Sequence, residues 1–127
     1  RVFSLTVKRT TYNGKEMIYL RFYVDSLPNG LAGKANMFVI RILKSHKDDK
    51  GLLEHEKVHV RQFWRCPLHG VFYRYSIEYR LKAEVEAYRE QLKYGAEIDR
   101  LAWLLCEKYD LGISFDEAKR LLCHQVA

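Results

Sequence analysis

Proline is nearly absent, two residues in 127, and glycine is sparse at seven, so the composition excludes collagen-like and low-complexity chains. Cysteine is scarce as well. Cys66, Cys106 and Cys123 are an odd number without tight spacing, which excludes a disulfide framework and leads to an expectation of buried thiols in a reducing, cytoplasmic compartment. Long apolar runs are missing too: the segments near Phe38 and Leu101 are short and interrupted by charge, so no membrane span is expected. The chain begins at Arg1 rather than Met, which is compatible with an upstream leader or domain having been trimmed.

What is present suits a single domain over residues 1–127, with 48% hydrophobic and 30% charged residues. The net charge of +6 would favour an acidic partner if it gathered on one face. Lys and Arg instead alternate with Glu from Glu78 to Lys93, as on a solvated helix surface, so nucleic acid is not the expected partner. The oligomeric state is left open.

Three segments favour strands through their Val, Ile, Phe and Tyr content: Val2 to Lys8, Met17 to Val24 and Asn36 to Leu43. Asn13-Gly14 marks a tight hairpin, and Leu27-Pro28-Asn29-Gly30 is a second turn signal. An antiparallel sheet of three strands is the expectation. Asp48 or Asp49 then caps a helix whose spacing runs through Leu52, His55, His59 and Phe63 until Pro67. Val71 to Leu81 fits a strand by alternation and stays undecided against helix. A second helix follows from about Arg80 to Tyr94, with Gly95 as its stop, and a third from about Ala96 to Tyr109. Ser114-Phe115-Asp116-Glu117 is a capping box that opens a last short helix through Leu122. The fold class is α+β, sheet first and helices after.

Residues 55 to 59 read His55-Glu56-Lys57-Val58-His59, an HExxH pattern. Residues four apart on a helix sit one turn above each other, so both imidazoles face a single ion while Glu56 projects at a different angle. A shuffled chain of this composition carries about 0.015 such matches, and here the pattern lies mid-helix between Leu52 and Phe63. Zinc suits two imidazoles and a carboxylate in tetrahedral geometry, with a position left open for water. The third ligand is sought downstream. Glu84 lies three after Leu81 and four before Tyr88, on the apolar face of its helix, where a carboxylate is unfavourable unless paired or metal-bound. Glu86 points elsewhere and reads as a solvated surface charge.

With Glu84-Val85-Glu86-Ala87-Tyr88 on a following helix, the chain resembles the gluzincin metallopeptidases, including their minimal single-domain members, of zincin-like fold. Their third ligand stands in a Glu-x-x-Ala-Asp or Glu-x-x-Ala-Asn motif, and alignment on Ala87 selects Glu84. The resemblance is specific over residues 52 to 63, moderate over 81 to 92 and silent about the C-terminal helices. Tyr88 departs from it, standing where the family often has Asp or Asn. The resemblance implies zinc held by His55, His59 and Glu84, Glu56 as general base, and a peptide or protein substrate. It also implies a sheet-edge strand pairing with extended substrate, for which Ala35 to Ile40 is the candidate. An oxyanion donor is required besides the metal. Tyr75, Tyr79, Tyr88 and His69 are eligible, Tyr88 first because it stands one turn beyond Glu84; it is equally eligible to brace a histidine ligand.

A rival reading is a non-catalytic protein- or nucleic-acid-binding domain with a degenerate or structural metal site. Three other signals are discounted. Cys66-Pro67-Leu68-His69 with Cys123-His124 is a loose match to a structural zinc site, Gln62 reads as a polar residue closing an amphipathic helix, and residues 101–122 make an unconvincing helix-turn-helix.

Overall fold

The structure, a computed structural model, describes residues 6–12 and 14–123. It is α+β. Strands β1 (Thr6–Tyr12), β2 (Lys15–Val24), β3 (Gly33–Asn36) and β4 (Val39–Leu43) are followed by helices α1 (Lys50–Arg65), α2 (His69–Tyr75), α3 (Ile77–Leu92), α4 (Ile98–Lys108) and α5 (Phe115–Cys123). No helix of the described residues is long and apolar enough to cross a membrane.

The sheet differs from the three-stranded antiparallel expectation. It has four strands in the order β1-β2-β4-β3, and it is mixed because β2 runs parallel to β4 from Leu20↔Val39 to Val24↔Leu43. The β1–β2 hairpin closes at Tyr12↔Lys15 with Gly14 at φ 76°; residues 2–5 of the expected first strand, and Asn13, lie outside the described residues. The segment read as one strand from Asn36 to Leu43 folds back on itself at Met37-Phe38, closing the β3–β4 hairpin at Asn36↔Val39. Met37 takes φ 55°, a conformation that usually calls for Gly or Asn in a two-residue turn, so its residue type carried no signal. The chain therefore reaches β4 through β3, which leaves β3 on the sheet edge and places β4 inside. This corrects the edge strand from Ala35–Ile40 to Gly33–Asn36.

Asp49 caps α1, accepting from the Leu52 amide at 3.0 Å. Ile40, Ile42 and Tyr19 of the sheet bury against Leu52 and Val60 of α1, forming one core cluster. The undecided stretch is helical. Ser76 separates α2 from α3 and caps α3 through the Tyr79 amide, so the apparent alternation of aromatics there follows two short helical faces instead of a strand. Ser114 caps α5 through the Glu117 amide at 3.1 Å, as the capping box requires. Helices α4 and α5 pack Leu101, Leu105, Ala118 and Leu122 against Val85 and Tyr88 of α3, so they serve as the second core. The three cysteines are free but not buried: Cys66 and Cys106 are half-exposed and Cys123 is exposed.

Candidate metal centre

Two antiparallel helices make the site. Ala83 and Ala87, both buried, let the backbone of α3 approach α1 closely, and Glu84 between them is 2% exposed. It reaches both imidazoles. His55 Nε2 lies 3.4 Å from Glu84 Oε1, and His59 Nε2 lies 3.2 Å from Glu84 Oε2. One atom from each of His55, His59 and Glu84 falls within 4.8 Å of the others, and all three residues are buried.

These residues fit a metal. A tetrahedron with bonds of about 2.05 Å has edges of roughly 3.3 Å; the two nitrogen–oxygen separations are near that length, each to a different oxygen of Glu84, and one donor atom from each residue stands within 4.8 Å of the others. Glu84 Oε1 and His55 Nδ1 are buried without a hydrogen-bond partner among the described residues, and an orphaned carboxylate oxygen is unfavourable in so dry a place unless an ion meets it. Burial opposes the charge on Glu84, yet His59 and His55 outweigh it and hold the carboxyl far below its ordinary range. Burial likewise opposes a charged His59, but Glu84, Glu56 and the Gln62 hydrogen bond push it up to about 9. A metal held here would take the place of the proton on His59.

Gln62, discounted above, is a structural part of the site. It is 2% exposed, and its Nε2 donates to Ala83 O at 3.0 Å and to Glu86 Oε1 at 2.9 Å. Its Oε1 therefore faces His59 Nδ1, at 2.8 Å, and that nitrogen must donate, which leaves Nε2 as the ligand atom. Glu86 is corrected in the same way: half-exposed, it accepts from both Gln62 and Arg65 and anchors the brace. The signal was available in the spacing, since Gln62 stands three after His59 on the same helical face. Replacing Gln62 by leucine is expected to weaken metal binding about 10–100-fold while the far-ultraviolet spectrum stays unchanged, as competition with a chromophoric chelator would measure.

Helix α2 covers the His59 side. Tyr73, absent from the sequence candidates, donates its hydroxyl to Glu84 Oε2, and its backbone carbonyl accepts from Arg80, which also reaches Tyr109 O at 2.9 Å. Tyr75 is 77% exposed and turned away from the triad's burial. His69 and Tyr79 bond each other at 2.7 Å, and burial, His59 and Arg65 bring His69 down to about 4, so it is neutral at pH 7. The discounted Cys66–His69–Cys123 grouping does not assemble among the described residues, and His124 lies outside them.

On the opposite side Glu56, buried but outside the triad, lies under β3: a Cβ added to Gly33 would stand 3.1 Å from Glu56 Oε2 and 3.1 Å from Leu52 Cδ1. Burial raises the Glu56 pKa, Glu84 adds to the rise, and the two histidines offset part of it. Tyr88 packs its ring edge-on against His55 at 4.3 Å, and its hydroxyl pairs with that of Tyr109 at 2.7 Å, so it does not hydrogen-bond a histidine ligand. His55, Glu56, Tyr88 and Tyr109 line one cleft with Gly33.

His55-Glu56-x-x-His59 with Glu84 is a zincin-type HExxH metal-binding triad, the kind of catalytic site typical of zinc metallopeptidases. Compared with known proteins, the chain matches no family model, no curated protein and no solved structure.

Proposed function

We propose that the protein is a zinc-dependent peptidase in which residues 1–127 act as a single domain. The observation that carries this is the convergence of two buried imidazoles and a buried carboxylate, with a separate carboxylate, Glu56, opening onto a cleft beside them. Zinc is the proposed ion because the donor set is two imidazoles and one carboxylate; when bound it polarises a scissile carbonyl and acidifies water.

The remaining steps belong to the chain. His55, His59 and Glu84 are the proposed ligands. Glu56, with its pKa raised by burial, accepts the proton of the attacking water and passes it to the leaving amine. Tyr88 is the proposed oxyanion donor. Burial and the nearby Glu84 push its pKa far above the ordinary value, so the hydroxyl stays protonated, and pairing with Tyr109 holds it at the cleft wall. An extended peptide would add to the free edge of β3, whose Gly33 gives its backbone close access to Glu56. Free thiols at Cys66, Cys106 and Cys123 support a reducing, cytoplasmic setting.

The test is metal removal on purified protein. Peptide hydrolysis is expected to disappear on chelation and return with one equivalent of zinc, followed by fluorogenic peptides and elemental analysis. Stoichiometric zinc with no hydrolysis of any peptide would favour the non-catalytic reading.

A further inference from the structure

The cleft beside Glu56 has a charge that its chemistry does not require. Its far wall is α4, which presents Arg100, Leu104 and Lys108, one residue per turn, toward the loop that leads into β3. Both cations are exposed. Among the described residues neither Arg100 nor Lys108 makes an ion pair, and Lys108 donates to a backbone carbonyl, Asn29 O at 3.4 Å, and lies over the face of Trp103. The two acids that line the cleft make no ion pair with them among the described residues: Asp49 accepts from the Leu52 amide as the cap of α1, and Glu56 sits buried beneath Gly33. Lys34 on β3 adds a further positive charge felt by Glu56.

The floor is polar as well. Gln91 is 4% exposed, lines the same cleft, and its Oε1 has no hydrogen-bond partner among the described residues. A buried acceptor left open is unfavourable unless something donates to it, and a peptide amide passing along the cleft is such a donor. Arg100 and Lys108 are eight residues apart, about 12 Å along a helix, which is the length of three to four residues of extended peptide.

Resting on the peptidase reading, we infer that this cleft selects peptides bearing a carboxylate, and that Arg100 and Lys108 are its specificity-determining residues. The carboxylate comes from an Asp or Glu side chain or from a free C-terminus; both present the same planar anion to the guanidinium and ammonium. Leu104 between the cations favours an apolar neighbour in the same peptide.

Binding is measured on zinc-loaded Glu56→Gln protein, so that turnover does not interfere, by fluorescence anisotropy with four labelled peptides of equal length. One carries internal Asp and Glu with an amidated end, one is neutral with a free carboxylate, one is neutral and amidated, and one is basic and amidated. One or both carboxylate peptides are expected to bind about 3–10-fold tighter than the neutral amidated one, as two exposed ion pairs allow, and which of them does identifies the source. The preference is expected to shrink at about 1 M salt. The double variant Arg100→Glu, Lys108→Glu is expected to prefer the basic peptide, and Arg100→Gln, Lys108→Gln to lose discrimination. Equal affinity for all four peptides, no binding of either carboxylate peptide, or an acidic preference that survives charge reversal overturns the inference. Wild-type cleavage without charge preference overturns it while leaving the peptidase reading intact; charge-selective binding without wild-type cleavage does the reverse.

Discussion

Replacing Glu56 by glutamine is expected to leave zinc bound and to slow peptide hydrolysis about 10²–10⁴-fold. The side chain belongs to the HExxH pattern but not to the metal triad: it is buried, and its carboxylate lies against the backbone of Gly33 on the cleft side. Glutamine keeps the shape and removes the ability to take a proton. Because burial raises the pKa of Glu56, the native carboxylate holds a proton closer to neutral pH than a surface glutamate does, as a group that must first accept and then donate requires. Elemental analysis reads the zinc and initial rates read the chemistry. An undiminished rate would remove Glu56 from the mechanism, and loss of zinc would make it a ligand.

The second large effect separates two glutamates of one helix. Glu84→Ala is expected to weaken zinc binding about 10²–10⁴-fold, the equivalent of the roughly 3–5 kcal/mol lost when one partner of a buried charge pair is removed. Glu86→Ala is expected to weaken it by no more than about 10-fold, because Gln62 keeps its second hydrogen bond, to Ala83 O, and still holds His59. Competition against a chelator of known affinity measures both. Equal zinc affinities in the two variants would displace Glu84 as the third ligand.

The site residues were legible to different degrees for physical reasons. His55, Glu56 and His59 stand within one turn of one helix, so spacing alone places them. Glu84 was legible because a carboxylate on an apolar stripe contradicts its surroundings. Gln62 and Glu86 were misjudged because each looks ordinary on its own helix, and their meaning arises where α1 and α3 meet. Tyr73 was missed for a related reason: its helix could not be told from a strand until Ser76 was seen to cap α3. The parallel β2–β4 pair was equally hidden, since the turn that produces it bends at Met37, a residue type that does not announce a positive φ.

Local periodicity and capping chemistry determined α1, α4, α5 and the later turns of α3, an aspartate cap at 48 or 49, the Ser114 cap, and the pairing of two imidazoles one turn apart, because these depend on neighbours within four residues. Tertiary packing alone decided that Ala83 and Ala87 bring α3 against α1, that β3 becomes the free edge over Glu56, and that Arg100 and Lys108 face the cleft. Those contacts join residues far apart in the chain, and the free energy that selects them is burial shared among several elements, which no single segment records.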